Sequence, residues 1–220
     1  MKLVFLGAPG AGKGTQAAAV AKEQGWAHIA SGDLFHQAVE RGDELGQKVK
    51  GYISQGLLVP DAIATKVILD MLQALPPETG FILDGFPRTL NQAQALDKSL
   101  PAKTPAPDMV VYINISQEEL VRRLSGRLTC RNCQAPHHLT TTPPKVIGRC
   151  DRCGGELYRR PDDTAEAIRQ RWQVFLTQTA PLLDYYKRQG KLSQVNGEGV
   201  MGEVTKEIKR VLGLEDGHSH

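Results

Sequence analysis

Residues 149–163 read RCDRCGGELYRRPDD. Here a thiol pair able to hold a metal, Cys150 and Cys153, runs straight into Arg159 and Arg160, which can hold phosphate, and then into Asp162 and Asp163. A second C-x-x-C, Cys130 and Cys133, lies upstream across sixteen intervening residues. Two such pairs at this separation form the two-knuckle pattern of a tetrahedral thiolate site. Zinc suits four thiolates best, and iron is its substitute. A closed shell of four sulfurs leaves no position for water, which makes the metal structural and not catalytic. Disulfides are the competing chemistry, and a reducing compartment opposes them. His137 and His138, between the pairs, read as loop residues that the full shell does not need.

Near the start of the chain, GAPGAGKGT at residues 7–15 follows an apolar run and precedes a helical pattern. Glycines let backbone N–H groups turn inward around phosphate oxygens, and a helix N-terminus adds partial positive charge. Lys13 reaches the outer phosphates as a mobile point charge. The strict pattern places Ser or Thr directly after the lysine, whereas here Gly14 stands there and Thr15 comes one place later. The usual direct hydroxyl ligand to magnesium is thereby displaced. A glycine-rich turn with no ligand is the bland alternative, and it leaves the lysine, the strand before it and the helix after it unexplained.

These groups need a frame to hold them. The chain has 220 residues, 40% hydrophobic and 23% charged, enough for one main core with insertions. A net charge of +3 is too mild to argue for nucleic acid by itself. No apolar run approaches a membrane span, and MKLVFLG is too short for a signal core, so a cytoplasmic protein without a membrane partner is expected. The runs KLVFL, AHIA, FILD, MVVYINI and KLSQV read as strands buried on both faces. Helical patterns cover residues 15–24, 62–75, 117–124, 164–188 and 201–212, with Pro181 set to interrupt the fourth. Ser116 and Glu119 have the form of a capping box. Strand–helix alternation predicts an α/β fold of the P-loop NTPase kind, a five-stranded parallel sheet flanked by helices. Residues 31–60 and 126–163 break the rhythm and read as two small insertions; residues 1–30, 61–125 and 164–220 make the core. The terminal GHSH reads as a frayed tail.

With SGDLF, LDGFPRTLNQAQAL and PPKV added to the motifs above, the sequence resembles adenylate kinases, in particular the bacterial long-lid form whose lid carries zinc. The resemblance covers residues 1–213 and implies reversible phosphoryl transfer from Mg–ATP to AMP, giving two ADP. By position it implies ATP phosphates at Gly10, Ala11, Gly12, Lys13, Gly14 and Thr15, with Arg123 and Arg127 meeting ATP from the lid's first hinge. Pro136, His137 and the backbone at Gly199 border the donor base. AMP falls to Ser31, His36, Leu57, Leu58, Val59, Gly85, Phe86, Pro87, Arg88 and Gln92, with Gln92 on the adenine edge. Arg160 and Arg171 contact the moving phosphoryl group and AMP, and Asp84 organises Mg2+ through water. The cofactors implied are Mg2+ and a structural Zn2+; the partners are ATP, AMP and ADP, no nucleic acid, and the protein is a monomer.

Physical chemistry supports the same roles. Phosphoryl transfer needs positioning and cations around spread negative charge, with little covalent help. Lys13, Arg88, Arg127, Arg160 and Arg171 are the residue types that task requires as its catalytic set. Arg169 reads as a solvated surface charge. The chain departs from the family at three places. His36 stands where an arginine usually grips the AMP phosphate, which predicts weaker AMP binding that improves in acid as imidazole gains charge. Ser31 replaces a threonine and keeps the hydroxyl. Pro136 and His137 replace a threonine and a tyrosine, with the His137 ring still covering the base. Rival readings are a GTP-using AMP kinase, a UMP or CMP kinase, and a zinc-ribbon nucleic-acid-binding protein. The last leaves DGFPRT and Gln92 unexplained.

Overall fold

The five apolar runs become the strands of one parallel sheet. In a computed structural model that describes residues 1–99 and 107–214, they are β1 (Lys2–Leu6), β2 (Ala27–Ala30), β3 (Phe81–Asp84), β4 (Met109–Asn114) and, last in the chain, β8 (Leu192–Asn196). The spatial order is β2-β3-β1-β4-β8, so β1 is central and its C-terminal end opens into the glycine loop. Along β1 the side chains part by alternation. Leu3 and Phe5 enter one apolar cluster with Ile82, Val111, Val20 and Ile208, while Val4 and Leu6 enter another with Ile29, Leu83, Ile68 and Tyr186. Burial on both faces is why β1, β3 and β4 read as apolar runs; the edge strands β2 and β8, expected to be buried likewise, bury only Ile29 and Val195.

Helices cover both faces: α1 (Lys13–Gln24), α4 (Asp61–Ala74), α5 (Leu90–Ser99), α6 (Gln117–Ser125), α7 (Ala165–Val174), α8 (Pro181–Arg188) and α9 (Met201–Val211). Helix α5 has no counterpart in the sequence reading; it shows the core only Ala93 and Leu96 from its first two turns. The long pattern at residues 164–188 is divided, as Pro181 requires. Pro181 has no N–H, and ahead of it the chain widens into a π-helical turn, Phe175–Thr179, where Ala180 N donates to Phe175 O at 2.8 Å. The capping box at α6 is only half formed. Ser116 Oγ accepts from Glu119 N at 3.4 Å, but the Glu119 carboxylate turns to Arg122 and Arg123, and Ser116 N donates instead to Glu198 Oε1.

Between β2 and α4 lie α2 (Ser31–Arg41) and α3 (Glu44–Ser54), the latter capped by Asp43, whose carboxylate accepts from Gly46 N at 2.8 Å. Between α6 and α7, β5 (Arg127–Cys130), β6 (Pro136–His138) and β7 (Leu157–Tyr158) form a separate antiparallel sheet in the order β6-β5-β7. His137 and His138 therefore belong to a strand, against the loop expected for them. Strands of two to four residues are too short to print a period in the sequence. Among the described residues no helix is long and apolar enough to cross a membrane. The GHSH tail lies outside the described residues.

Candidate functional site

The site begins where β1 ends. Gly12 adopts φ 92°, a left-handed conformation that favours glycine, and it caps α1 with no side-chain hydrogen bond. The first N–H groups of α1 are thus left for an anion. Gly14 has its own reason: a Cβ there would sit 3.0 Å from Asp84 Oδ2. The residue after the lysine is small because the carboxylate closing β3 crowds it. Lys13 Nζ donates to Gly7 O and Ala8 O, both at 2.9 Å, lying back along its own loop. Burial pulls its ammonium down to about 8, which Asp84 partly offsets and Arg88, Arg171 and Arg127 reinforce.

Two clefts meet beside this loop. The larger, about 580 Å³, is lined by Ser31, His36, Leu57, Leu58, Val59, Gly85, Phe86, Arg88, Gln92 and Arg171, which brings together nearly the whole expected AMP set. The other, about 440 Å³, is lined by Lys13, Gly7, Pro9, Pro87 and Thr179. Arg88 and Arg171 line both. Pro136, His137 and Gly199 line neither cleft, nor does Arg160, which approaches from the small sheet.

Hydrogen bonds from several elements fix the first of these walls. The peptide Phe86–Pro87 is cis. Gly85 O accepts from Ser31 Oγ and from Arg88 Nε, both at 2.7 Å. Thr179 Oγ1, from the π turn, donates to Arg88 O at 2.9 Å. Gln92 is 2% exposed, and its amide is oriented at both ends. Its Oε1 accepts from Arg88 N at 2.7 Å and its Nε2 donates to Asp61 Oδ1 at 2.8 Å.

The remaining cations are held by carboxylates. Arg127 forks onto Asp163 at 2.8 and 2.6 Å. Arg171 donates to Asp162 Oδ2 at 2.9 Å and to Asp163 Oδ1 at 3.2 Å, and crowded burial among other cations pulls its guanidinium down to about 10. Arg160 spans two regions, from Thr129 Oγ1 at 3.2 Å to Asp33 Oδ1 at 2.5 Å. His36 Nε2 stands 3.6 Å from Asp162 Oδ1, beyond a full hydrogen bond. Burial opposes ionisation of Asp162, but His36, Arg171 and Arg127 outweigh it and hold the carboxyl well below the usual range. Asp33, Asp61 and Thr129 hold side chains of the expected site and carry no sequence signal of doing so. Their partners lie 127, 31 and 31 residues away, so spacing carries no sign of them. His28 likewise carries no sequence signal; its Nε2 lies 3.6 Å from Asp84 Oδ2. Arg169 pairs with Glu166 at the surface, as a solvated charge should.

The four cysteines converge as their spacing predicts. Their sulfurs all lie within 4.8 Å of one another, with contacts of 3.3 to 3.7 Å. The edge of a tetrahedron with metal–sulfur bonds of about 2.3 Å is about 3.8 Å, so the donor set is compatible with zinc. All four cysteines are free of disulfides. Burial leads the causes that push the Cys133 thiol up to about 12, so a cation is needed to hold it as thiolate. The knuckles share one backbone turn: Gln134 N donates to Cys130 O, and Gly154 N donates to Cys150 O. Gly154 has φ 71° and Gln134 has φ 56°, a left-handed residue without a glycine's freedom. His138 is spent within the fold, its Nδ1 accepting from Thr140 N and Thr141 N and its Nε2 facing Arg122 O at 3.3 Å. His137 Nε2 is buried and has no partner.

A family model described as adenylate kinase matches residues 5–191. A protein named adenylate kinase from Dehalococcoides mccartyi is 52% identical over 206 residues, covering 94% of this chain and 95% of its own. One from Archaeoglobus fulgidus is 48% identical over 212 residues, with 96% and 98% covered. One from Caldicellulosiruptor bescii is 46% identical over 215 residues, with 98% and 100% covered.

Proposed function

The chain belongs to the adenylate kinase family, and on that premise we propose which of its side chains carry the reaction ATP + AMP = 2 ADP and how. The observation that carries the reading is the common wall: Arg88 and Arg171 face both the cleft beside Lys13 and the cavity beside Ser31 and Gln92. Donor phosphates rest on the loop from Gly10 to Thr15, AMP fills the larger cavity, and the transferring phosphoryl group passes between them at that wall. Its negative charge spreads over three oxygens as bonding loosens, and Lys13, Arg88, Arg127, Arg160 and Arg171 stabilise it. Arginine forks suit paired phosphate oxygens, and Asp33, Asp162 and Asp163 hold three of them in place until phosphates arrive. No covalent intermediate and no dedicated base are required.

Adenylate kinases use Mg2+ with ATP, where the ion neutralises phosphate charge. Asp84 is the residue that would organise it, and the closeness of Gly14 keeps that carboxylate beside the donor loop. The cysteine cluster is compatible with zinc, which here would be structural. Residues 31–60 and 126–163 act as two covers on the core, closing to exclude water as a competing acceptor; adenylate kinase lids are themselves a standard illustration of such gating. His36 lines the AMP cavity in place of the family's arginine, so His36→Arg should lower the Michaelis constant for AMP. His137, which lines neither cleft, is the residue whose ring would cover the donor base once the small sheet closes on ATP. We further propose a monomer working in the cytoplasm, without nucleic acid. The test is ADP formation measured across acceptor monophosphates and across ATP and GTP, with zinc quantified on the same sample. Activity confined to UMP or CMP, or an oligonucleotide-dependent shift with no ADP formed, would overturn the reading.

A further inference from the structure

Arg123 is crossed by three segments. From α6 its Nη2 donates to Gly197 O in the turn after β8 at 2.7 Å, and its Nη1 donates to Ala11 O of the glycine loop at 3.4 Å. A Cβ on Gly12 would lie 3.7 Å from that Nη1, so the guanidinium runs beside the phosphate loop. Its third edge, Nε, donates to Glu119 Oε1 at 2.5 Å, one helical turn back. A guanidinium has five N–H groups. Three are engaged in this way, and two remain, one on each terminal nitrogen. The same carboxylate is gripped by Arg122, through Nε to Oε2 at 2.7 Å and Nη2 to Oε1 at 2.6 Å. Arg122 is 55% exposed while Glu119 is 14% exposed, so the outer arginine offsets the carboxylate's charge from the solvent side. The hydrogen bonds from Arg122, opposed by burial and joined by those of Arg123, hold the Glu119 carboxyl down to about 2.

We propose that Glu119 is a positioning residue for ATP: it fixes the Nε edge of Arg123 and so holds the guanidinium between the glycine loop and the turn after β8, where the donor nucleotide would meet it. This rests on the reading of Arg123 as an ATP contact. A carboxylate close to an anion's seat weakens binding if it acts through charge alone. Here Arg122 neutralises it, and what it contributes is direction. The two roles predict opposite signs.

The experiment measures kcat, separate Michaelis constants for ATP and AMP, and thermal stability on the full, metal-loaded protein carrying Glu119→Leu, Glu119→Gln or Arg123→Leu. Positioning predicts that Glu119→Leu raises the Michaelis constant for ATP about tenfold, as expected when a charge-assisted hydrogen bond no longer orients its donor. The constant for AMP stays unchanged. Glu119→Gln, whose amide oxygen still accepts from Nε, recovers most of the loss and keeps the helix turn folded. A lowered constant for ATP in both variants would establish the charge role and overturn the proposal. So would a loss of thermal stability with both constants unmoved. If Arg123→Leu raises the ATP constant and Glu119→Leu does not, this proposal alone falls; if Arg123→Leu leaves it unchanged, the reading of Arg123 falls with it.

Discussion

The parallel sheet and the small cysteine-bearing sheet solve the same problem with different chemistry. The central strands β1, β3 and β4 of the former send fully buried side chains into two apolar layers, and the edge strands β2 and β8 add one buried residue each, Ile29 and Val195. The apolar cluster of the latter is only Cys130, Cys150 and Leu157 among the described residues, with Leu128, Cys133 and Ala135 packed partly against them and Thr129 buried alongside. One buried leucine contributes about 2 kcal/mol. Ordering each residue costs about 1–2 kcal/mol, so a segment spanning residues 127–158 cannot be held by that cluster. Coordination by four thiolates is the further source of stability that the converging cysteines are placed to supply. On the proposed reading, packing stabilises one region and metal coordination the other, and both present cations to one phosphate.

The comparison breaks first at the metal. Chelation, or Cys130→Ser, should unfold the small sheet while the parallel sheet persists. With Arg160 and Arg127 no longer presented, kcat should fall about 10²-fold or more. A single calorimetric transition shared by both regions before and after chelation would refute the division. A core substitution should do the reverse. Ile82→Ala, at a site with 0% exposure, should cost about 2–5 kcal/mol of global stability and leave kcat at permissive temperature nearly unchanged.

Lys13 sharpens the contrast through pH. In the free protein its pKa is depressed to about 8, and bound phosphates return it toward the ordinary lysine range. The protonated form binds ATP, so affinity is full below about pH 8 and weakens about tenfold per unit as pH rises through the free-state value. Calorimetry of ATP binding at pH 8.5 in buffers of different ionisation enthalpy should register proton uptake, and Lys13→Arg should abolish it. Because Lys13 stands on the parallel-sheet side, the uptake should survive zinc removal; its disappearance would mean the two regions are not independent.

The smallest effect separates the two knuckles. Gln134 occupies the left-handed position that Gly154 fills in its counterpart, so Gln134→Gly should raise the midpoint of the zinc-dependent transition by the equivalent of about 1 kcal/mol. The main transition should not move.

Legibility in the sequence follows the same division. The three central strands could be read because burial on both faces leaves apolar runs, the two edge strands from short runs with one buried residue each, and the cysteines and glycine loop because their chemistry fixes their spacing. Helix α5 escaped because it shows the core so few apolar side chains. The small sheet escaped because its strands are shorter than a period. Glu119 reads as half of a capping box from its distance to Ser116, but two arginines one turn further on claim its carboxylate. Asp33 could not be paired with Arg160 by any local rule.

The π-helical turn at Phe175–Thr179 has a consequence for how this chain can vary in length. Relative to an α-helix, such a turn contains one surplus residue. Excising it would wind everything downstream back by about 100°. Leu182 and Tyr186 would swing off their apolar layer, and Thr179 would lose its grip on the Arg88 carbonyl. A one-residue deletion here is therefore a phase error that travels into both the packing and the acceptor cleft, whereas the turn at Val146 and Ile147, both well exposed, has no downstream phase to spoil.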